Sequence, residues 1–326
     1  MPDFSALIPE AYLSISTGYV ETLIQSQREE LSTGLMRLSY PSGENLLFSF
    51  LEGIQQKLYR CLEHKVEIVP RQAWLDALNR SNVSVGFMSL PADAMRFVRI
   101  VHETPVVRVE QSTYQPEELA IQSEKWAADQ EPGIVYIQAS GIKKYYLIAG
   151  HSTPIIEELS FVEDRAHFNI GDASFPQRLP KLDYQVTRYV SNRDHDLWRE
   201  YELRLAFSPL MRMLFNRFSE LAGRVLTERL CEQLSIWTRE SGWNIVVTSN
   251  GVVNHHYFDS LDSAIGVYAE FLQHFRNEAS HAIGARLVDN LARETLIKLD
   301  PYRRNLLTQH IYSQDGAGSV TGVVWR

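Results

Sequence analysis

Gly34-Leu-Met-Arg-Leu-Ser-Tyr-Pro-Ser-Gly-Glu-Asn-Leu-Leu-Phe-Ser-Phe-Leu-Glu-Gly-Ile-Gln-Gln-Lys-Leu-Tyr-Arg60 carries apolar residues at alternate positions on both sides of a turn. Met36, Leu38 and Tyr40 lead into Pro41-Ser42-Gly43, and Leu46, Phe48 and Phe50 lead out of it. This period of two predicts a hairpin with one buried face. Gly53 marks a second turn, after which Ile54 to Tyr59 return as a third strand.

A second stretch follows the same order. Gly133-Ile-Val-Tyr-Ile matches Gly34-Leu-Met-Arg-Leu, Ser140-Gly141 matches Ser42-Gly43, Tyr145 to Ile148 match the Leu47 to Phe50 region, and Gly150 matches Gly53. A recurring unit changes the reading of the whole chain, because one meander buries only one face by itself. Gly34–Arg60 and Gly133–Leu159 are therefore expected to superpose as related β-units within one N-terminal α+β region.

Composition sets the outer bounds. A chain of 326 residues, 44% of them hydrophobic, exceeds one ordinary core and implies at least two domains. The net charge of -8 speaks against a broad nucleic-acid or anionic-membrane footprint, which needs clustered Lys and Arg. No apolar run has the length of a membrane span, and Met1 to Thr17 lacks the basic start and apolar core of a signal peptide, so a cytoplasmic protein without membrane insertion is expected. Cys61 and Cys231, far apart and in apolar surroundings, read as two buried thiols.

In chain order, Pro9 to Leu31 reads as a short helix with Tyr12, Tyr19, Val20, Leu23 and Ile24 as its apolar side. Val66 to Val69 reads as a strand, Arg71 to Asn79 as a covering helix, Val83 to Leu90 as another strand, and Pro91 as the start of a helix through Phe97, Val98 and Val101. Pro116 followed by Glu117 and Glu118 opens an acidic connecting helix that Pro132 closes. Its acidic residues, with Glu110, Glu124, Asp129 and Glu131, form a solvated face or an acidic docking surface. Ile155 to Phe161 and Tyr184 to Val190 look extended, and the looser stretch between them holds Gly171, Pro176 and Pro180.

Past that stretch the character becomes helical. Asp194 to Phe207 reads as one helix, and Ser208-Pro209 as the cap and first residue of the next. The second helix has a stripe of Leu210, Leu214, Phe218, Leu221, Val225, Leu230, Leu234 and Trp237, and Gly242 ends it. Ile245–Ser249, Asn250-Gly251 and Val252 through Phe258 predict a hairpin with a type I′ turn. Asp259 or Ser260 then caps a long helix with a stripe of Ile265, Leu272, Phe275, Ile283, Leu287 and Leu291, which runs until Asp300-Pro301 breaks or restarts it. These two helices carry more large apolar residues than one pair of facing stripes needs. Phe215 and Phe271, with the C-terminal Trp325, are therefore candidate interaction residues for self-association or a protein partner.

Leu35 to Arg60, with its strand, Pro-Ser-Gly turn, aromatic-rich second strand and glycine before a third strand, resembles the PATAN family. That family is a regulatory domain best known beside receiver domains in bacterial two-component proteins. The resemblance implies a non-catalytic, protein-interaction role in signalling and supplies no catalytic residues.

No phosphate-cradling Gly-x-x-x-x-Gly-Lys-Ser/Thr, no His-Glu-x-x-His and no Gly-x-Ser-x-Gly is present. The glycine-rich run Gly316 to Gly322 has no following helix to offer amides to a phosphate. His274, Glu278 and His281 share one helix side, but a di-iron bundle needs a second Glu-x-x-His, which the chain lacks. His255 and His256, placed on a strand, point to opposite faces. No cofactor, metal site or catalytic residue is assigned. The fold class expected is α+β: two related β-meander units with covering helices over residues 1–190, then a mainly helical region over 191–326 containing the hairpin 243–258. The function expected is a non-catalytic regulatory or scaffold protein, with a small-ligand sensor or an enzyme without a recognisable motif as alternatives.

Overall fold

The computed structural model describes residues 4, 8, 12–62, 65–70, 72, 82–128, 131–139, 142–149, 156–162, 165–171, 182–314 and 323–325. The chain is α+β and divides into two compact units, Met1–Trp198 and Arg199–Arg326. The expected covering helix at Arg71–Asn79 and the turn glycines Gly141 and Gly150 lie outside the described residues, as does the run Gly316–Gly322.

The first unit is built from β1 (Tyr12–Ile15), α1 (Thr17–Glu29), β2 (Gly34–Ser39), β3 (Asn45–Leu51), β4 (Ile54–Leu62), β5 (Lys65–Ile68), β6 (Val83–Ser89) and α2 (Ala92–Glu103). It continues with β7 (Val106–Tyr114), α3 (Pro116–Ala128), β8 (Gly133–Ala139), β9 (Ile142–Ile148), β10 (Ile156–Val162), β11 (Arg165–Gly171) and β12 (Tyr184–Ser191). These strands make two six-stranded antiparallel sheets, ordered β1-β6-β2-β3-β4-β5 and β7-β12-β8-β9-β10-β11. The second order is the first with every strand advanced by six, so the repeat seen in the sequence is a duplication of the entire sheet.

Register shows the same thing at single residues. Gly34 opposes Ser89, and Gly133 opposes Val190. A methyl group on Gly34 would stand 2.1 Å from the carbonyl oxygen of Met88, and one on Gly133 would stand 2.7 Å from that of Tyr189. Each glycine thus lets the first residue of a central strand pass against its neighbour's backbone. Just beyond, Leu90 N–H donates to Thr33 O and Ser191 N–H to Pro132 O, both at 3.0 Å. Each sheet also has one helix on the equivalent face. Val20 and Ile24 of α1 pack on Met36, Leu38, Phe48 and Val85, while Leu119 and Trp126 of α3 pack on Val135, Ile137, Tyr146 and Val186.

The other faces share α2. Every residue of α2 from Ala94 to His102 is buried, which no amphipathic surface helix would show. Phe97 meets Phe168 of β11 edge to face at 6.2 Å, and His102 lies 4.9 Å from the ring of Tyr59 on β4. The guanidinium of Arg96 pairs with Glu157 on β10, both almost fully buried. Glu103 accepts from the Tyr59 hydroxyl at 2.8 Å and pairs with Arg99 at 3.3 Å. Burial pushes the Glu157 carboxyl up from its ordinary value, while Arg96 pulls it down.

Three expectations for this unit are corrected. The segment that reads as one helix from Pro9 is a strand, β1, followed by α1, because backbone pairing with β6 at the sheet edge takes Tyr12–Ile15. β7 occupies Val106–Tyr114, where the sequence reading places no strand, and pairs with β12 along its length. β11 occupies Arg165–Gly171, inside the stretch that reads as loose.

The second unit takes over within α4 (Asp196–Ala222) and adds α5 (Arg224–Glu240), β13 (Ile245–Thr248), β14 (Gly251–Asn254), α6 (Leu261–Ile283), α7 (Ala285–Lys298), α8 (Pro301–His310), β15 (Tyr312–Gln314) and β16 (Val323–Trp325). The division at 198/199 therefore falls in a helix, whereas the expected boundary at 190/191 falls at the end of β12. Helix α4 runs through Ser208-Pro209, although proline removes one helical hydrogen bond. Ala206, Phe207, Leu210, Met211 and Leu214 on both sides are fully buried, and that packing holds the helix together. The real breaks come at Gly223 (φ 80°) and Gly284 (φ 86°), in the left-handed region that glycine tolerates. They redirect the chain, which leaves the stripe members Leu221, Val225 and Leu287 exposed. Asp300 does cap α8, its side chain accepting from Arg303 N–H at 3.0 Å.

The β13–β14 hairpin is present, but its turn is not the type I′ turn at Asn250-Gly251. Thr248 opposes Gly251, so Ser249 and Asn250 are the turn residues, and neither has positive φ. The Thr248 hydroxyl supports the turn by accepting from Asn250 N–H at 3.3 Å. Gly251 (φ 123°) is needed for another reason: a methyl there would come within 3.0 Å of the Arg212 backbone on α4.

Alanine at either Gly34 or Gly133 should destabilise the first unit by at least about 1–3 kcal/mol, since the obstructing atoms are backbone and cannot swing aside. Gly34→Ala should cost more, because its φ of 152° also strains a side-chain-bearing residue. Urea unfolding of the two variants measures both effects, and a neutral result at either position would contradict the strand contact.

Candidate functional site

The β3–β4 connection is where the first sheet opens to solvent. Leu51 opposes Ile54, so Glu52 and Gly53 form a two-residue loop, and their φ values of 50° and 77° are those of a type I′ turn. The loop is fastened to the end of α1. Gly53 N–H donates to Ser32 O at 2.8 Å, and Glu52 N–H donates to the Thr33 hydroxyl at 2.9 Å. A methyl on Gly53 would meet Arg28 O at 2.6 Å, so only glycine lets the turn lie this close to the helix. Leu31, just past the helix, has φ 52°, a conformation bulky side chains seldom adopt.

Between this turn, the end of α1 and the end of β5 lies an open groove of about 680 Å³. Its walls include Leu31, Ile54 and Ile68, which are 68%, 66% and 51% exposed, together with Arg28, Glu52 and Lys57. Three large aliphatic side chains thus face solvent around one concavity, where burial is the rule for such residues. Leu31 and Glu52, two of the three non-glycine residues with positive φ among those described, both line it. Strained backbone of this kind gathers at sites that bind.

The groove lies at the end of β5. β5 pairs with β4 from Leu62 back to Tyr59, and one further bond, Val69 N–H to Leu58 O at 3.0 Å, extends the ladder. Pro70 comes next and has no N–H to donate. Lys57 and the residues before it keep β3 on one side and have the groove on the other.

The residues singled out from the sequence lie elsewhere. Phe215 and Phe271, expected at an interface, are fully buried within the second unit's own core. Phe215 meets Phe275 at 5.3 Å, and Phe271 meets Phe207 at 5.8 Å and Trp237 at 5.9 Å. The apparent surplus of apolar side chains is absorbed because Gly284 and Asp300 fold one long helix into α6, α7 and α8, which together supply the missing cover. Trp325 is in β16, opposite Tyr312 of β15.

His274 stacks on Trp237 at 4.2 Å, with Glu278 4.0 Å from it and 3.9 Å from His281. His255 and His256 follow β14 rather than lying on it, and His256 Nδ1 accepts from Asn244 N–H at 3.4 Å. Among the described residues no group of three or more His, Cys, Asp or Glu is placed to hold a metal ion, and no helix is long and apolar enough to cross a membrane. Both cysteines are thiols, Cys61 buried and Cys231 half-buried, where burial pushes its thiol up to about 11.

Part of the acidic segment is used internally. Glu110 and Glu131 pair with Arg108 at 2.8 and 2.7 Å, and with Arg188 at 3.4 and 3.8 Å. Arg188 in turn lies 5.6 Å over the Trp126 ring, so these charges tie β7 and β12 to α3. The groove has almost no signature along the sequence. Its one available sign is the pair Glu52-Gly53 between alternating runs, beside the proline at 70 that cuts β5 short.

Comparison with protein-family models, curated proteins and solved structures gives no match.

Replacing Phe215 or Phe271 by glutamate should cost about 3–5 kcal/mol or more, the loss of a buried aromatic ring with a charge forced into its place. Thermal unfolding with light scattering reads the outcome. A variant that dissociates an oligomer at unchanged stability would return these residues to a surface.

Proposed function

We propose that this chain is a non-catalytic, cytoplasmic regulatory or scaffold protein that works by binding another protein at the groove of the first sheet. The carrying observation is the set of exposed Leu31, Ile54 and Ile68 around an open concavity held in shape by a strained turn and helix end. A protein partner covering those side chains would remove apolar surface from water, worth about 25 cal/mol per Å². The mixed polar and aliphatic walls suit a contact surface with an apolar centre and charged rim. The resemblance of Leu35 to Arg60 to PATAN domains supports the same reading and extends it to bacterial signalling, since the groove is formed partly by that segment.

A small-ligand sensor is the second reading. The groove's volume lies within the range of about 300–1,000 Å³ found for ligand sites. Its openness along a strand edge favours a macromolecule.

Photo-cross-linking inside cells tests the proposal, with the reactive group placed at Gln55 on the groove wall. We expect a protein adduct on the otherwise native chain, and its loss in Leu31→Gly and in Ile54→Asp. Leu31→Gly relieves a left-handed leucine, so stability should stay within about 1 kcal/mol of the parent. Absence of any protein adduct, or an adduct that survives both substitutions, would refute binding at this groove.

A further inference from the structure

We infer that the outer edge of the second sheet is a self-association surface, at which β7 pairs antiparallel with β7 of a second copy about a two-fold axis through Val109. This surface is separate from the groove. Among the described residues β7 stands at one end of the strand order, with β12 as its neighbour on one side. None of its nine residues is buried, and Val107 and Val109 are 69% and 51% exposed. Solvent therefore reaches the strand along its whole length.

The direction of its backbone groups follows from β12. Ser191 N–H donates to Pro132 O at 3.0 Å, and Tyr189 O lies 2.7 Å from where a methyl on Gly133 would stand, so Ser191 and Tyr189 turn their backbone groups to β8. Successive residues of a strand turn these groups to opposite sides, which leaves those of Val190, Arg188 and Val186 for β7. Their partners there are Arg108, Glu110 and Ser112. Val109, between the first two of these, consequently points its N–H and C=O away from β12. Two copies that meet at Val109 can exchange a pair of hydrogen bonds across the axis, as in any hydrogen-bonded antiparallel pair.

Charge identifies the occupant as a second copy. In antiparallel pairing about Val109, Arg108 faces Glu110 of the second copy, Glu110 faces Arg108 of the second copy, and the two Val109 side chains face each other. The triplet Arg108-Val109-Glu110 is thus its own complement. An axis one residue away opposes Glu110 to Glu110 or Arg108 to Arg108, and like charges directly opposite are destabilising. An axis at Gln111 leaves both charges without an opposite charge across the edge. Tyr114 packs on Trp126 of α3, so Arg108 and Glu110, in step with Tyr114, stand on the α3 side of the sheet, where Glu131 and Arg188 balance them. A second copy therefore meets a locally neutral edge. Val107 is an extra residue in the ladder, because Val106 faces Ser191 and Arg108 faces Val190. This bulge, with Pro105 before β7, bounds the paired stretch and makes the contact short, of the weak and reversible kind.

A cysteine on the axis tests the contact in the intact chain. Across a hydrogen-bonded antiparallel pair the two Cα atoms stand about 5.5 Å apart, which a disulfide spans. Val109→Cys should give a covalent dimer on mild oxidation, above whatever the parent shows from Cys61 and Cys231, and Gln111→Cys should not. Added to Val109→Cys, Arg108→Glu and Glu110→Arg should each weaken association about tenfold or more, since each opposes like charges twice. Mixing the two charge variants should restore the cross-link, because the acidic edge of one then faces the basic edge of the other; that recovery also shows both variants to be folded. A Val109→Cys chain that stays monomeric, a cross-link through Gln111→Cys in its place, or charge variants that cross-link equally alone and mixed would overturn the inference. The cross-linking from Gln55 judges the groove separately.

Discussion

Helix α2 has protein on every side from Ala94 to His102, and its burial between two sheets is the constraint on which the first unit depends. A helix in that position satisfies its own backbone but carries Arg96, Arg99 and His102 out of water with it. Stranding a buried charge costs several kcal/mol, so the sheets must present partners at matching heights. Glu157 does this from the second sheet, and Tyr59 reaches Glu103, the partner of Arg99, from the first. The helix belongs by connectivity to the first copy of the fold, yet it needs the second copy's β10 to be electrically complete. That dependence gives a physical reason for the two copies to persist together.

Duplication leaves two sites that begin equal and can diverge. The glycines opening β2 and β8 remain in both copies, because both make the same backbone approach. The outer edge has not stayed equal. Among the described residues β11 pairs with β10 from Ile156 to Val162, while β5 pairs with β4 only from Tyr59 to Leu62, and the β3–β4 turn is drawn against α1 by Gly53. Among the described residues the second copy carries its outer strand further along its neighbour than the first does. An exposed edge invites indiscriminate pairing. Here the groove beside the edge is flanked by Arg28, Glu52 and Lys57.

The second unit solves a different problem with glycine. Its helices carry apolar residues beyond what two stripes require, and Gly223 and Gly284 divide them into shorter pieces that cover one another. Phe207 stacks on Tyr268 at 4.2 Å, and Asn254 donates to the Tyr268 hydroxyl at 2.7 Å, which joins the hairpin to α6 through a buried, satisfied polar contact. Gly251 completes that joint by letting β14 pass against α4 at Arg212.

The fold class and much of the strand grammar are determined locally. Alternation at Met36, Leu38, Phe48 and Phe50 specifies a half-buried hairpin wherever it is placed, and the shared order of Gly34–Phe50 and Gly133–Ile148 marks the duplicated unit in the sequence itself. Pro91, Pro116 and Asp300 likewise announce helix starts by chemistry that acts within a turn or two. Tertiary structure decided the rest, for reasons that are not local. β1 and β7 are strands because β6 and β12 offer them edges, and α4 survives Pro209 because its flanks are buried. Phe215 and Phe271 are core because two glycine breaks and a proline start bring other helices over them, which periodicity along one helix cannot reveal. The groove depends on where β5 stops relative to β4, a register between segments. No single residue carries that information, so only the folded chain shows it.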